Sequence, residues 1–161
     1  MQEAKMILPL LIGALLQPMP SPERRDARGL LDTPCDLGAG TVTATTLAAL
    51  PRPLSEAVEQ FFAPRRGIAD AGGAYNATDV VDSRLPSRRF IRAYRVGPIW
   101  VVWYVRGGGI VSSPQTIAFR PDVGPGGVDA GFVAMPGTVF AGEDLCTATK
   151  AIVAGVRNGT P

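Results

Sequence analysis

The sequence predicts an α+β fold: an antiparallel β-meander of three to four strands, with an N-terminal and a C-terminal helix packed on one face. Three observations carry that reading. Aromatic and β-branched runs at 88–95, 99–105 and 110–119 are separated by Val96-Gly97-Pro98 and Arg106-Gly107-Gly108-Gly109, short glycine-containing connections that signal consecutive hairpins. Apolar residues recur at helical spacing on either side of this block. The 161 residues are 46% apolar, enough for a modest core, and their 19 Gly and 15 Pro stay below the proportion typical of disordered chains.

Taken in order, the chain opens with one Lys, an apolar run from Met6 to Leu16 and the helix-breaking Gln17-Pro18-Met19-Pro20. These are the parts of a secretory leader, and eleven apolar residues fall short of the roughly 20 that a membrane-spanning helix needs. Residues 1–20 are therefore expected to be a signal peptide and 21–34 a charged linker. A single α+β domain is expected over 35–157, with a tail at 158–161. Thr41 to Leu50 is ambiguous between strand and helix. Pro51-Arg52-Pro53 then sets up a helix whose Leu54, Val58, Phe61 and Phe62 fall on one face, and Ala63-Pro64 stops it. Segment 76–82 starts a short helix capped by Asn76 or Thr78, or is briefly extended.

Within the meander, Pro114 marks a bulge or an edge position, and Pro121 to Gly127 reads as a loop leading to a fourth strand at 131–135. The last element is a helix with Leu145, Cys146, Thr149, Ile152, Val153 and Val156 on its apolar stripe. Glu143 and Asp144 suit its first turn, Lys150 and Arg157 its end, and Gly155 a C-terminal cap. Cys35 and Cys146 are the only cysteines. In an exported protein they are expected to form the one possible intramolecular disulfide, closing nearly the whole domain.

The absence of histidine removes Ser-His-Asp and Cys-His nucleophile pairs, imidazole bases and every His-ligated metal site. No cofactor and no metal are expected, and no motif carries an activity over from a known family. The formal charge is only +2, yet 83–121 holds seven arginines and no carboxylate. Alternation puts Phe90, Arg92 and Tyr94 on one face of the first strand. On the second, Ile99, Val101, Trp103 and Val105 read as the core side, which turns Trp100 and Tyr104 outward. Arg89, Arg92, Tyr94, Trp100 and Tyr104 are the candidate binding residues, because arginine beside aromatics suits an anion or a stacked ring; the same pattern also suits an ordinary solvated sheet face.

The expectation is thus a small periplasmic or secreted, non-enzymatic binding module. Its partner is an unidentified protein or an anionic envelope component, it has no stable membrane anchor once the leader is removed, and its oligomeric state cannot be read. Two alternatives remain. One is a hydrolase using the carboxylate pairs Asp79/Asp82 or Glu56/Glu59. The other, less favoured, is a cytoplasmic nucleic-acid binder whose affinity would fall steeply with salt. The cluster of Asp70, Asn76, Asp79 and Asp82 lacks the spacing of an EF-hand loop, and the sequons at Asn76 and Asn158 matter only where exported proteins are glycosylated.

Overall fold

The computed structural model describes residues 33–127 and 129–159, so the expected signal peptide and most of the expected linker lie outside the described residues. Among the described residues no helix is long and apolar enough to cross a membrane. The fold is α+β, built on one antiparallel sheet of five strands in sequential order: β1 (Val42–Ala44), β2 (Arg88–Val96), β3 (Ile99–Arg106), β4 (Ser113–Val123) and β5 (Asp129–Ala134). Helix α1 (Arg52–Phe62) precedes the long hairpins and α2 (Leu145–Val153) follows them.

The sheet is larger than the three to four strands expected. The ambiguous segment after Thr41 resolves into both candidates, strand β1 and then a 3-10 turn at Leu47–Ala49 capped by the Thr46 hydroxyl. β4 runs through Pro121 to Val123, so the expected loop there begins later. Pro114 sits in β4 where β5 does not reach, since β5 pairs only from Phe119 onward; a proline there removes no β4–β5 ladder bond. Segment 76–82 forms no helix.

The main correction concerns the helices, which lie on opposite faces of the sheet. α1 contributes Leu54, Val58 and Phe62 to a core with Phe90, Ala93, Trp100, Val102 and Tyr104. α2 contributes Leu145 and Ile152 to a second core with Tyr94, Val101 and Trp103. β3 reads Ile-Trp-Val-Val-Trp-Tyr-Val without a polar break because both of its faces are covered; one face open to water would have produced alternation.

Each helix is terminated by local chemistry. Ala63-Pro64 ends α1, and the chain leaves through Arg66 in the left-handed region (φ 67°), with the Gly67 amide donating to the Phe62 carbonyl. Asp144 caps α2 by accepting from the Thr147 amide at 2.9 Å, and Gly155 (φ 94°) follows its end. Cys35 and Cys146 are joined in a disulfide across a separation of 111 residues, with their Cα atoms 5.3 Å apart. Asn158 is held in place: its backbone amide donates to the Gly137 carbonyl and its side chain to that of Val139.

Candidate functional site

The expected binding face dissolves for two physical reasons. A β-bulge at Ile91 breaks the alternation of β2, so Phe90 pairs across to Tyr104 while Arg92 pairs to Trp103, and the two point to opposite faces. The helices then bury both faces. Trp100 and Tyr104 lie under α1 and Tyr94 lies under α2, all three buried, so none of them offers an exposed stacking surface.

Tyr94 has a structural part: its hydroxyl accepts from the Cys35 amide at 2.8 Å and from Arg92 Nη1 at 3.5 Å. The half-buried Arg92 guanidinium sits 5.8 Å from the Trp103 ring centroid, and Trp103 Nε1 donates to Thr149 Oγ1 at 2.7 Å. These residues tie β2 and β3 to α2 beside the disulfide. Arg89 is packed over the Tyr75 ring at 4.6 Å.

Arginines do converge, but at one end of the sheet. Arg88 at the start of β2 and Arg106 at the end of β3 are direct cross-strand partners, an arrangement of like charges that costs stability unless something offsets it. The residues leaving α1 come to the same end. Arg65, Arg66, Arg88 and Arg106, with Ser87 and Val81, line a cavity of about 460 Å³. Among the described residues none of these four arginines is ion-paired; the salt bridges are Arg52–Glu56 and Arg84–Asp82.

Main-chain carbonyls and rings fix the geometry of this site. Arg65 Nη1 donates to the Phe61 carbonyl and Arg88 Nη1 to that of Arg65, which places both guanidiniums at the negative end of α1. Arg88 also lies over the Phe62 ring at 5.7 Å and Arg65 over Phe61 at 4.7 Å. Burial, and then the facing charges of Arg106 and Arg65, hold Arg88 below the ordinary guanidinium range, against an opposing pull from Tyr104. Burial raises the Tyr104 phenol, whose hydroxyl donates to Gln115 Oε1 at 2.8 Å.

The floor of the cavity depends on Gly107. A Cβ there would lie 1.9 Å from the Asn76 carbonyl, so only glycine lets the 76–85 loop close on the β3–β4 hairpin. Asn76 organises that loop: it is buried, its amide nitrogen donates to the carbonyls of Asp82 and Leu85, and its oxygen accepts from the Asp82 amide. A sequon asparagine so enclosed is closed to modification in the folded protein.

One member of each carboxylate pair considered as reactive is engaged by an arginine. Asp82 is held by Arg84, which keeps its carboxyl below the usual range, and Glu56 is bound to Arg52 on the exposed side of α1. Asp70 caps turns by accepting from the Leu47 and Ala71 amides. Among the described residues no group of three or more acidic or cysteine side chains is placed to hold a metal ion.

Sequence reasoning marked the arginine-rich segment and named Arg89, Arg92, Tyr94, Trp100 and Tyr104, of which the three aromatics are buried, and it did not name Arg65, Arg66, Arg88 or Arg106. The missed signal was hairpin symmetry: counting outward equally from the turn at Gly97 brings Arg106 opposite the Arg88-Arg89 pair. Arg65 and Arg66 carried no such signal, because their approach depends on where α1 docks. No protein-family model matches the chain, and neither a curated protein nor a solved structure matches it.

Proposed function

We propose that the protein is an exported, non-enzymatic binding module that holds an anionic group in the cavity formed by Arg65, Arg66, Arg88 and Arg106. The observation that carries this reading is that Arg65, Arg66, Arg88 and Arg106 line one concavity and that, among the described residues, none of the four is ion-paired with a carboxylate. Guanidiniums so arranged match the planar, multidentate acceptors of phosphate, sulfate or carboxylate. A bound anion would also relieve the repulsion between Arg88 and Arg106.

The disulfide supports the export part of this reading, since such bonds persist in oxidising compartments, and the leader-like apolar run from Met6 to Leu16 is consistent with it. Against single-stranded nucleic acid stands the burial of Trp100, Tyr104 and Tyr94, the aromatics that would have to stack on bases.

The test is titration of the oxidised protein with inorganic phosphate, followed by the amide shifts of Gly107 and Gly108 and the Nε–H signals of the arginines. Saturable shifts at this end of the molecule are expected, weakened at least tenfold by Arg88→Gln with Arg106→Gln. Equal affinity in wild type and double variant, or no saturable shift, removes the proposal.

A further inference from the structure

We infer that the anion is the headgroup phosphate of an anionic phospholipid, and that the protein docks on a membrane surface through the loops that rim the arginine cavity. This rests on the anion-binding reading above and names its ligand.

The three most exposed large apolar side chains of the described residues, Ile110, Val80 and Val111, lie on the two loops that meet at the cavity, and Val81 joins them. Ile110 (94% exposed) and Val111 (79%) form the tip of the β3–β4 hairpin, and Val80 (81%) and Val81 (46%) stand on the neighbouring 76–85 loop. The two loops are joined: Ser112 Oγ donates to the Ala77 carbonyl at 2.7 Å, and the Gly107 backbone packs directly against Asn76. Val81 lines the same cavity as Arg88 and Arg106, and Val111 lines a smaller hollow shared with Arg106 and Gly107.

Four exposed aliphatic side chains on two adjoining loops form a local apolar cluster instead of being scattered singly. Placed on two adjoining loops beside a basic hollow, they match the layering of a lipid surface, with hydrocarbon beyond a plane of phosphates. The tips enter the acyl boundary while the guanidiniums stay at phosphate depth. Neither signal suffices alone: a few apolar side chains partition weakly, and a patch of arginines binds only through a screened field, so their coincidence is what gives a stable surface-bound state. The basic hollow complements an anionic headgroup, and the adjacent aliphatic side chains complement the acyl region beneath it, a pairing of signals that an anionic lipid surface supplies together. Two carboxylates share the loop; Asp82 is neutralised by Arg84, and Asp79 is exposed and opposes docking.

The experiment is co-sedimentation of the oxidised full chain with vesicles of phosphatidylcholine alone or mixed with phosphatidylglycerol, beside the phosphate titration. Binding is expected to require phosphatidylglycerol and to fall at least tenfold in Arg88→Gln/Arg106→Gln. It should fall as far in Val80→Ser/Ile110→Ser, whose residues do not line the cavity and whose phosphate affinity is expected to be unchanged.

Unchanged vesicle binding in Val80→Ser/Ile110→Ser overturns the inference and assigns the binding to another part of the chain. Phosphate binding without vesicle binding overturns it while leaving the anion site standing. Loss of both in the wild type removes both readings. A change in the mass of the free protein in Val80→Ser/Ile110→Ser, with vesicle partition unaltered, overturns it in favour of self-association.

Discussion

The two faces of the sheet are both covered by a helix, yet they are held by different physics. On the α1 face the contact is apolar and aromatic: Phe62 meets Tyr104 edge to face at 4.8 Å, Phe61 meets Phe119 at 6.0 Å, and Leu54 and Val58 are fully buried. On the α2 face the helix is shorter and contributes Leu145 and Ile152, supplemented by a disulfide and by a chain of hydrogen bonds from Trp103 through Thr149 to the Leu145 carbonyl. A long amphipathic helix with aromatic anchors docks by burial alone. The nine-residue α2 has no aromatic anchor of its own and is fastened in addition by covalent and polar links.

The largest expected effect tests the apolar side. Phe62→Ala empties a fully buried ring site against Tyr104 and is expected to cost about 3–5 kcal/mol, read from the denaturant midpoint with an unchanged slope. A cost below about 1 kcal/mol would mean that α1 is not held by its aromatic anchor.

The next effect tests the fastened side. Cys35→Ser with Cys146→Ser is expected to cost about 2–4 kcal/mol, because the closed loop no longer restricts the unfolded chain. Hydrogen exchange sharpens the contrast: the α2 amides should lose protection first while those of α1 keep theirs. Equal loss on both helices would show that the two faces open as one unit.

The smallest effect concerns the α2 cap. Hydrogen bonds from the Thr147 amide, and then from its hydroxyl, hold the Asp144 carboxyl below its ordinary value. The folded state therefore prefers the carboxylate, and the stabilisation is fully present above the unfolded value near pH ~3.9 and lost as pH falls through the lower folded value. Asp144→Ala is expected to cost about 1 kcal/mol at neutral pH, with the gap between variant and wild type closing in acid. A gap that stays constant down to acid pH would assign the loss to helix propensity instead of the cap.

Much of the fold was legible because its signals are local. The apolar spacing of Leu54, Val58 and Phe62 marks α1, the runs around Gly97 mark the β2–β3 hairpin, and Asp144 and Gly155 bracket α2. The site was legible only in composition. Reading strict alternation through β2 carried Arg92 onto the face of Phe90, and the bulge at Ile91 undoes that by one residue. The uninterrupted apolar run of β3 was the available sign that both faces are covered, and it was read as one core face plus one binding face.

By itself the sequence determined the two main helices, the central strands with the turn at Gly97 and, with only two cysteines, how a disulfide must pair. Those outcomes depend on periodicity, backbone preference and count, which are properties of neighbours along the chain. Only the tertiary structure decided that the helices take opposite faces, that Trp100 and Tyr104 are core, and that Arg65 and Arg66 meet Arg88 and Arg106 around one cavity. The physical reason is that burial and charge act through space: a helix settles on whichever apolar face its loops can reach, and residues distant in sequence become neighbours only once it has settled.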